Sequence, residues 1–297
     1  MTFPSIQTEF AAQTTDFPIG NTSPNAALPT TRQLESKIKR AARVQLPSLA
    51  TSRVWGLDFS VVNMAQTLDF VDVAVQRREP LYAITANANY AMLCAESPRL
   101  ADFTRRCPLV LCDGMPILWR SRMNAQPLPE RVAGADLIYA LADRSGHRGH
   151  RVFLMGGAEG VAQAAADRLR EIYPRLKVVG VECPPFRQAS VEEHEQLCQR
   201  VRDAKPDILL VAFGQPKGEF WIEENYQDLG VPVSIQLGAS FDFIVGKAQR
   251  APQWVQRIGM EWLYRTVRDP RRLLPRYAKN AWFLFNAIRG EILSATR

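Results

Sequence analysis

From Val54 onward the chain alternates short β-branched or leucine-rich runs with longer segments at helical spacing, and this alternation restricts the fold more than any other feature. The runs Val54–Leu57, Leu81–Thr85, Leu109–Cys112, Arg151–Met155, Lys177–Glu182, Ile208–Phe213 and Val233–Leu237 predict strands. Residues 63–78, 89–97, 134–145, 159–172, 190–204 and 217–228 predict helices between them. Right-handed crossovers through helices lay successive strands parallel and cover both faces of the sheet.

The expected class is therefore α/β and Rossmann-like, a mainly parallel sheet with helices on both faces, in a body over residues 51–249. In such a sheet the carboxyl ends of all strands share one edge, where ligands bind. After Leu81–Thr85 come Asn87 and Asn89, and after Leu109–Cys112 come Asp113 and Gly114. The loop Gly156-Gly157-Ala158-Glu159-Gly160 follows Arg151–Met155. The later strands open into Gly214-Gln215-Pro216-Lys217 and Gly238-Ala239-Ser240-Phe241-Asp242. Glycines, amides and two carboxylates thus converge on one crevice. Asp113 is either a general base there or a turn aspartate capping the helix that starts near Pro116. The Gly156-Gly157 loop enters a helix whose N-terminus suits a diphosphate, although a plain tight turn explains it as well. It lacks the first glycine of a dinucleotide fingerprint, Met155 standing there. Glu182 is placed to take a ribose hydroxyl, which keeps a nucleotide-dependent oxidoreductase in view.

The chain has 297 residues, 46% of them hydrophobic, enough to bury a full core. Its five cysteines form no CxxC pair and read as reduced core residues. His147, His150 and His194 lack metal-ligand spacing and read as surface residues, so no metal and no cofactor is expected. Residues 1–50, with Pro4, Pro18, Pro24, Pro29 and Pro47, read as a mostly disordered leader containing a short basic helix over 32–44. No apolar run reaches the ~18 residues of a membrane span.

The basicity is local. Residues 250–297 hold ten cations against Glu261, Asp269 and Glu291, which is the whole +7 excess of the chain. Trp254, Trp262, Tyr264, Tyr277, Trp282, Phe283 and Phe285 interleave with those cations. Arginine with interfacial aromatics is what a helix on an anionic bilayer needs. A helical hairpin packed on the core is the plainer account. A basic, non-catalytic nucleic-acid or membrane module is a further rival, but no nucleic-acid-binding module surrounds the cations.

Seven motifs fall in order along the chain: Thr85-Ala86-Asn87, Asp113-Gly114-x-Pro116, Arg131-Val132-x-Gly134-x-Asp136-Leu137, Gly214-x-Pro216-Lys217-x-Glu219, Phe241-Asp242-x-x-x-Gly246, Arg250-Ala251-Pro252 and Glu261-Trp262-Leu263-Tyr264-Arg265. Together they resemble the WecG/TagA/CpsF glycosyltransferases (glycosyltransferase family 26) from about Val54 to Arg276. The resemblance implies an inverting enzyme that moves N-acetylmannosamine, its uronic acid or another hexose from UDP to a polyprenyl-diphosphate-linked saccharide. It would work as a cytoplasmic, peripheral protein on the inner face of the cell membrane, in surface-polysaccharide synthesis. It implies Asp113 as base with Thr85 and Asn87 beside it, and Arg131 following. It also implies Arg265, Arg272 and Arg276 on the diphosphate, with Arg271 as the alternative to Arg272. Gly156, Gly157, Gln215, Glu219 and Asp242 complete the expected substrate site. Where the family usually has Gln-Glu after Pro-Lys, this chain has Gly218-Glu219, which makes Gln215 the stand-in for that glutamine.

An inverting transfer also needs positive charge for the departing diphosphate. Many sugar-nucleotide enzymes use a metal held by Asp-x-Asp, a sequence absent from this chain. Arginines are expected to serve instead. The expected partners are thus a UDP-sugar, the lipid-diphosphate acceptor and a membrane surface, with no nucleic acid; self-association into a homo-oligomer is compatible.

Overall fold

The computed structural model describes residues 44–184 and 190–295. The expected leader falls outside the described residues up to Arg43. The body opens with a hairpin, β1 (Thr51–Val54) and β2 (Leu57–Ser60), paired antiparallel. Val54–Leu57, expected as a single strand, instead closes the hairpin: Val54 ends β1, Trp55 and Gly56 form the turn, and Leu57 begins β2. Trp55 and Gly56 both have positive φ, 47° and 84°, the geometry that closes a two-residue turn without splaying its strands.

The main sheet holds β3 (Leu81–Ala86), β4 (Leu109–Cys112), β5 (Arg151–Gly156), β6 (Lys177–Glu182), β7 (Ile208–Ala212) and β8 (Val233–Gln236). Its order is β4-β3-β8-β7-β5-β6, and every neighbouring pair is parallel. The chain winds from β3 out to β4 at one edge and resumes on the far side with β5, so the two halves meet at a switch point where a crevice opens.

Alternate residues of each strand face opposite cores. Leu81, Ala83, Leu109, Leu111, Leu154 and Leu210 pack beneath α1 (Met64–Arg77), α5 (Gly134–Arg148) and α6 (Val161–Ile172). Tyr82, Ile84, Val110, Phe153, Leu209 and Val211 pack under the hairpin, α2 (Ala88–Glu96), α3 (Pro98–Arg105), α7 (Val191–Ala204) and α8 (Lys217–Leu229). Strands buried on both faces must read as continuous apolar runs, which is why they were visible in the sequence. Reciprocal side-chain caps start two of the helices: Asn63 with Gln66 at α1, and Ser190 with Glu193 at α7.

His147 is exposed as expected, but His150 and His194 are half-buried. They bond Asp72 Oδ1 (2.8 Å) and Asn225 Oδ1 (2.8 Å) between packed helices. The five cysteines are free thiols, and burial pushes those of Cys107 and Cys112 up to about 12.

Five further helices complete the described residues: α4 (Met115–Ser121), which precedes α5, and then α9 (Ser240–Ile244), α10 (Gln253–Arg257), α11 (Glu261–Arg268) and finally α12 (Pro270–Ala295). The C-terminal segment buries Ala251, Val255, Leu273 and Asn280. Phe283 meets Trp55 edge-on at 6.4 Å, and Arg120 donates to Glu291 at 2.7 Å, which ties α12 to the body.

Candidate active site

Asp113 continues the sheet by one residue: its N–H donates to Ala86 O at 2.9 Å. Gly114 is the N-cap of α4 and no side chain caps that helix, so the aspartate is not spent as a cap. A Cβ on Gly114 would lie 3.4 Å from Cβ of Asn87, so the loops after β3 and β4 touch beside the carboxylate. Among the described residues no hydrogen bond or ion pair engages the Asp113 side chain. Burial pushes its carboxyl up to about 7; Arg131 opposes that, Glu261 and Asp136 add to it, and Arg250 opposes it. An unengaged carboxyl that titrates near neutrality at the carboxyl edge of the sheet has the properties of a general base.

The nearby charges form one cluster that spans the body and the C-terminal helices. Arg131 donates to Asp136 Oδ2 and to Glu261 Oε2, both at 3.3 Å. Arg250 reaches Asp136 Oδ1 and Oδ2, and lies 3.7 Å from Glu261 Oε1. Two cations and two anions thus balance, with Asp113 beside them. The guanidiniums of Arg265 and Arg250 stand 5.1 and 6.0 Å from the centre of the Phe243 ring.

On the other side of Asp113, Asn87 caps α2 by accepting from Tyr90 N at 3.1 Å. Thr85 is buried and donates to Gln236 O at 3.0 Å. Gln215 bridges the halves of the crevice, donating to Thr85 O and accepting from Asn89, both at 3.3 Å. Arg276, from α12, donates to Asn89 at 3.0 Å, so an arginine of the last helix does reach this edge. Arg272 stands one turn earlier on α12, and its side chain lies outside the described residues. Asp242 is half-buried on α9, where its carbonyl accepts from Ala248 N.

Gly156 ends β5 with φ 114°, and Gly157 donates to Ala212 O at 2.9 Å. A Cβ on Gly156 would meet the backbone of Ala212 at 2.7 Å, so this glycine serves the β5–β7 contact. Gly156→Ala is expected to cost about 2–4 kcal/mol in urea unfolding, through the positive φ and the backbone overlap together. Glu182, the ribose candidate of the oxidoreductase reading, is engaged by Arg200 at 2.5 and 3.3 Å.

Comparison with known proteins decides between the two readings. The Glycosyl transferase WecG/TagA/CpsF family model matches residues 52–296. The chain belongs to the WecG/TagA/CpsF family. Its relatives include N-acetylglucosaminyldiphosphoundecaprenol N-acetyl-beta-D-mannosaminyltransferases. That of Bacillus subtilis strain 168 is 27% identical over 77% of this chain and 90% of its own. That of Bacillus spizizenii is 26% identical with the same coverage, and that of Staphylococcus aureus strain MW2 is 25% identical over 74% of this chain and 85% of its own.

In this WecG/TagA/CpsF glycosyltransferase, Gly218 stands where the resemblance leads one to expect glutamine, and the structure shows what fills the space. A Cβ there would lie 2.8 Å from Nε2 of Gln236, whose side chain runs past the glycine to donate to Glu219 Oε2 at 3.2 Å. Glu219 is wholly buried, with Oε1 unpartnered, and burial pushes its carboxyl up to about 8. It therefore braces the crevice from inside and presents no surface to it. Glu219→Gln is expected to leave the fold intact, because the native side chain is already neutral near pH 7; an unchanged melting temperature would show this.

Asp136, Arg250 and Glu261 were visible as motif letters but not as site residues, since their part depends on pairing across 114 and 130 positions of chain. Asn89 was seen as a loop amide, and only the approach of α12 makes it a contact. Gln236 sits in an apolar strand and gave no signal.

Proposed function

We propose that this glycosyltransferase moves an N-acetylmannosamine-type sugar from a UDP-sugar onto a polyprenyl-diphosphate-linked saccharide, with inversion, at a membrane face. The observation that carries the reading is the Asp113 carboxyl, unengaged and titrating near neutrality at the carboxyl edge of the sheet, in a chain whose relatives use a lipid-diphosphate acceptor. In the reaction Asp113 takes the proton of the acceptor hydroxyl as that oxygen bonds to the sugar's C1. The C1–oxygen bond to the β-phosphate breaks from the opposite face, and UDP leaves with the electron pair. The leaving charge needs cations, and Arg265, Arg272 and Arg276 are the candidates by motif; Arg276 reaches the crevice at Asn89.

Membrane association rests on the outer surface of the C-terminal helices. Trp254, Val267, Trp282 and Phe285 are each more than half exposed, and Arg257, Arg268, Arg271 and Lys279 are exposed among them. Trp282 and Phe285 stack on each other at 6.0 Å on that surface. No helix of the described residues is long and apolar enough to cross a membrane. The composition suits a helix lying in the headgroup region.

A panel of UDP-sugars offered with lipid-diphosphate-linked N-acetylglucosamine tests the reading, and product from UDP-N-acetylmannosamine is the expected result. Absence of product from every donor would sink it. Because the sequence has no Asp-x-Asp and the described residues gather no cluster of three His, Cys, Asp or Glu, transfer is expected to survive EDTA. Loss of activity on chelation with recovery on Mg²⁺ or Mn²⁺ would assign the leaving-group charge to a metal instead.

A further inference from the structure

Asp113 leaves the sheet from β4, the outermost strand on its side, so the loops after β3, β8, β7 and β5 all lie to one side of it. On the other side, between α4 and α10, lies an open groove of about 470 Å³. Met115, Leu118 and Pro129 give it apolar walls, while Arg131 and Arg257 give it cations. The groove begins beside Asp113, since Met115 is two residues on and Arg131 is among the charges that set the aspartate's titration. It also runs toward an apolar exterior. The turn at Gly259 presses on Met115 and on the half-exposed Trp119, and α10 carries the exposed Trp254 beside the groove residues Gln256 and Arg257.

The polar groups of the groove are unequally occupied. Arg131 is held by Asp136 and Glu261. Gln256 accepts from Arg250 and donates to Ala251 O, both at 2.7 Å. The Glu130 carboxylate turns away to the backbone N–H of Met64. Arg257 is exposed, and among the described residues it forms no hydrogen bond or ion pair. An unengaged guanidinium above an apolar floor matches a ligand with an anionic head and a hydrocarbon tail.

We propose that this groove receives the acceptor's diphosphate and the first units of its prenyl chain, the diphosphate on Arg257 and the chain along Met115 and Leu118 toward Trp119. The inference rests on the glycosyltransfer reading and adds where the acceptor lies. Inversion supports the same placement. The nucleophile and the leaving UDP stand on opposite faces of the sugar, and with a donor laid over the β3, β8, β7 and β5 loops an acceptor entering past the β4 edge meets that condition.

The test is steady-state transfer to N-acetylglucosamine linked to farnesyl diphosphate, in solution without vesicles, so that membrane recruitment plays no part. Arg257→Ala is expected to raise the acceptor KM about tenfold, equal to ~1.4 kcal/mol, and Arg257→Glu to raise it further. The UDP-sugar KM and the melting temperature should stay unchanged, since the side chain is exposed and unpaired. With an N-acetylglucosaminide carrying an uncharged alkyl group, the Ala variant and the wild type should perform equally. An unchanged acceptor KM in both variants would overturn the proposal, as would a rise in donor KM in place of acceptor KM. Failure of the wild type to use any UDP-sugar would overturn the glycosyltransfer reading itself, and this proposal with it.

Discussion

Asp113→Asn is expected to lower sugar transfer by roughly 10²–10⁴-fold while leaving UDP binding nearly unchanged. The amide keeps the shape of the side chain and removes its capacity to accept a proton. In the wild type the rate should fall as pH drops through about 7, because the base works only when ionised and its carboxyl titrates there. The variant's residual rate should lack that limb. Stability supplies a control for folding, with a definite sign. Raised from 3.8 to about 7, the carboxyl favours its neutral form in the fold. Well below pH 4 it is protonated in both folded and unfolded chains, and nothing is lost. Between those values the unfolded chain ionises first, so stability declines as pH rises, and above 7 the full penalty applies. The variant should therefore melt higher than the wild type near pH 8, with the gap closing towards pH 4. An inactive variant that melts higher is folded and lacks its base; near-normal turnover would remove Asp113 from the chemistry.

The parallel sheet was legible because both its faces are buried, which makes each strand an uninterrupted apolar run such as Leu109–Cys112. The hairpin was not, because Trp55 in the left-handed region is a turn residue that composition does not betray. Asp113 was legible from its position alone: a carboxylate directly after a buried strand. Its freedom from partners was not, since that depends on Gly114 taking the cap position and on Arg131 being drawn to Glu261. Glu219 shows the limit from the other side. Its place after Pro-Lys marks it as a site residue, yet full burial against Gln236 makes it a brace. Sequence spacing reports which loop a residue is on, and packing decides which way it faces.

Truncation after Gln249 is expected to leave a folded body that transfers at least about 100-fold more slowly, even to a short water-soluble acceptor, and no longer binds anionic vesicles. The body should fold because the core beneath α1, α5 and α6 is built entirely from residues before the cut. It should melt lower, since the cut removes the packing of the buried Ala251, Val255 and Leu273. The loss of rate has two sources. The cut removes the arginines of α11 and α12, and with them the Arg276–Asn89 contact at the crevice. It also removes Glu261 and Arg250, leaving Arg131 with Asp136 alone. Glu261→Gln in the full-length chain isolates the second source. Arg131, Asp136 and Arg250 remain, but Arg131 loses an anionic partner and Asp113 loses a repelling charge. Both changes favour the ionised carboxylate, so the acid limb of the rate should move to lower pH and the plateau should drop as the base weakens. Vesicle binding should be untouched, because the cations on the outer surface are all still present. If the truncated protein instead transfers normally to the soluble acceptor, the C-terminal helices are an anchor only, and the arginines they carry take no part in the chemistry.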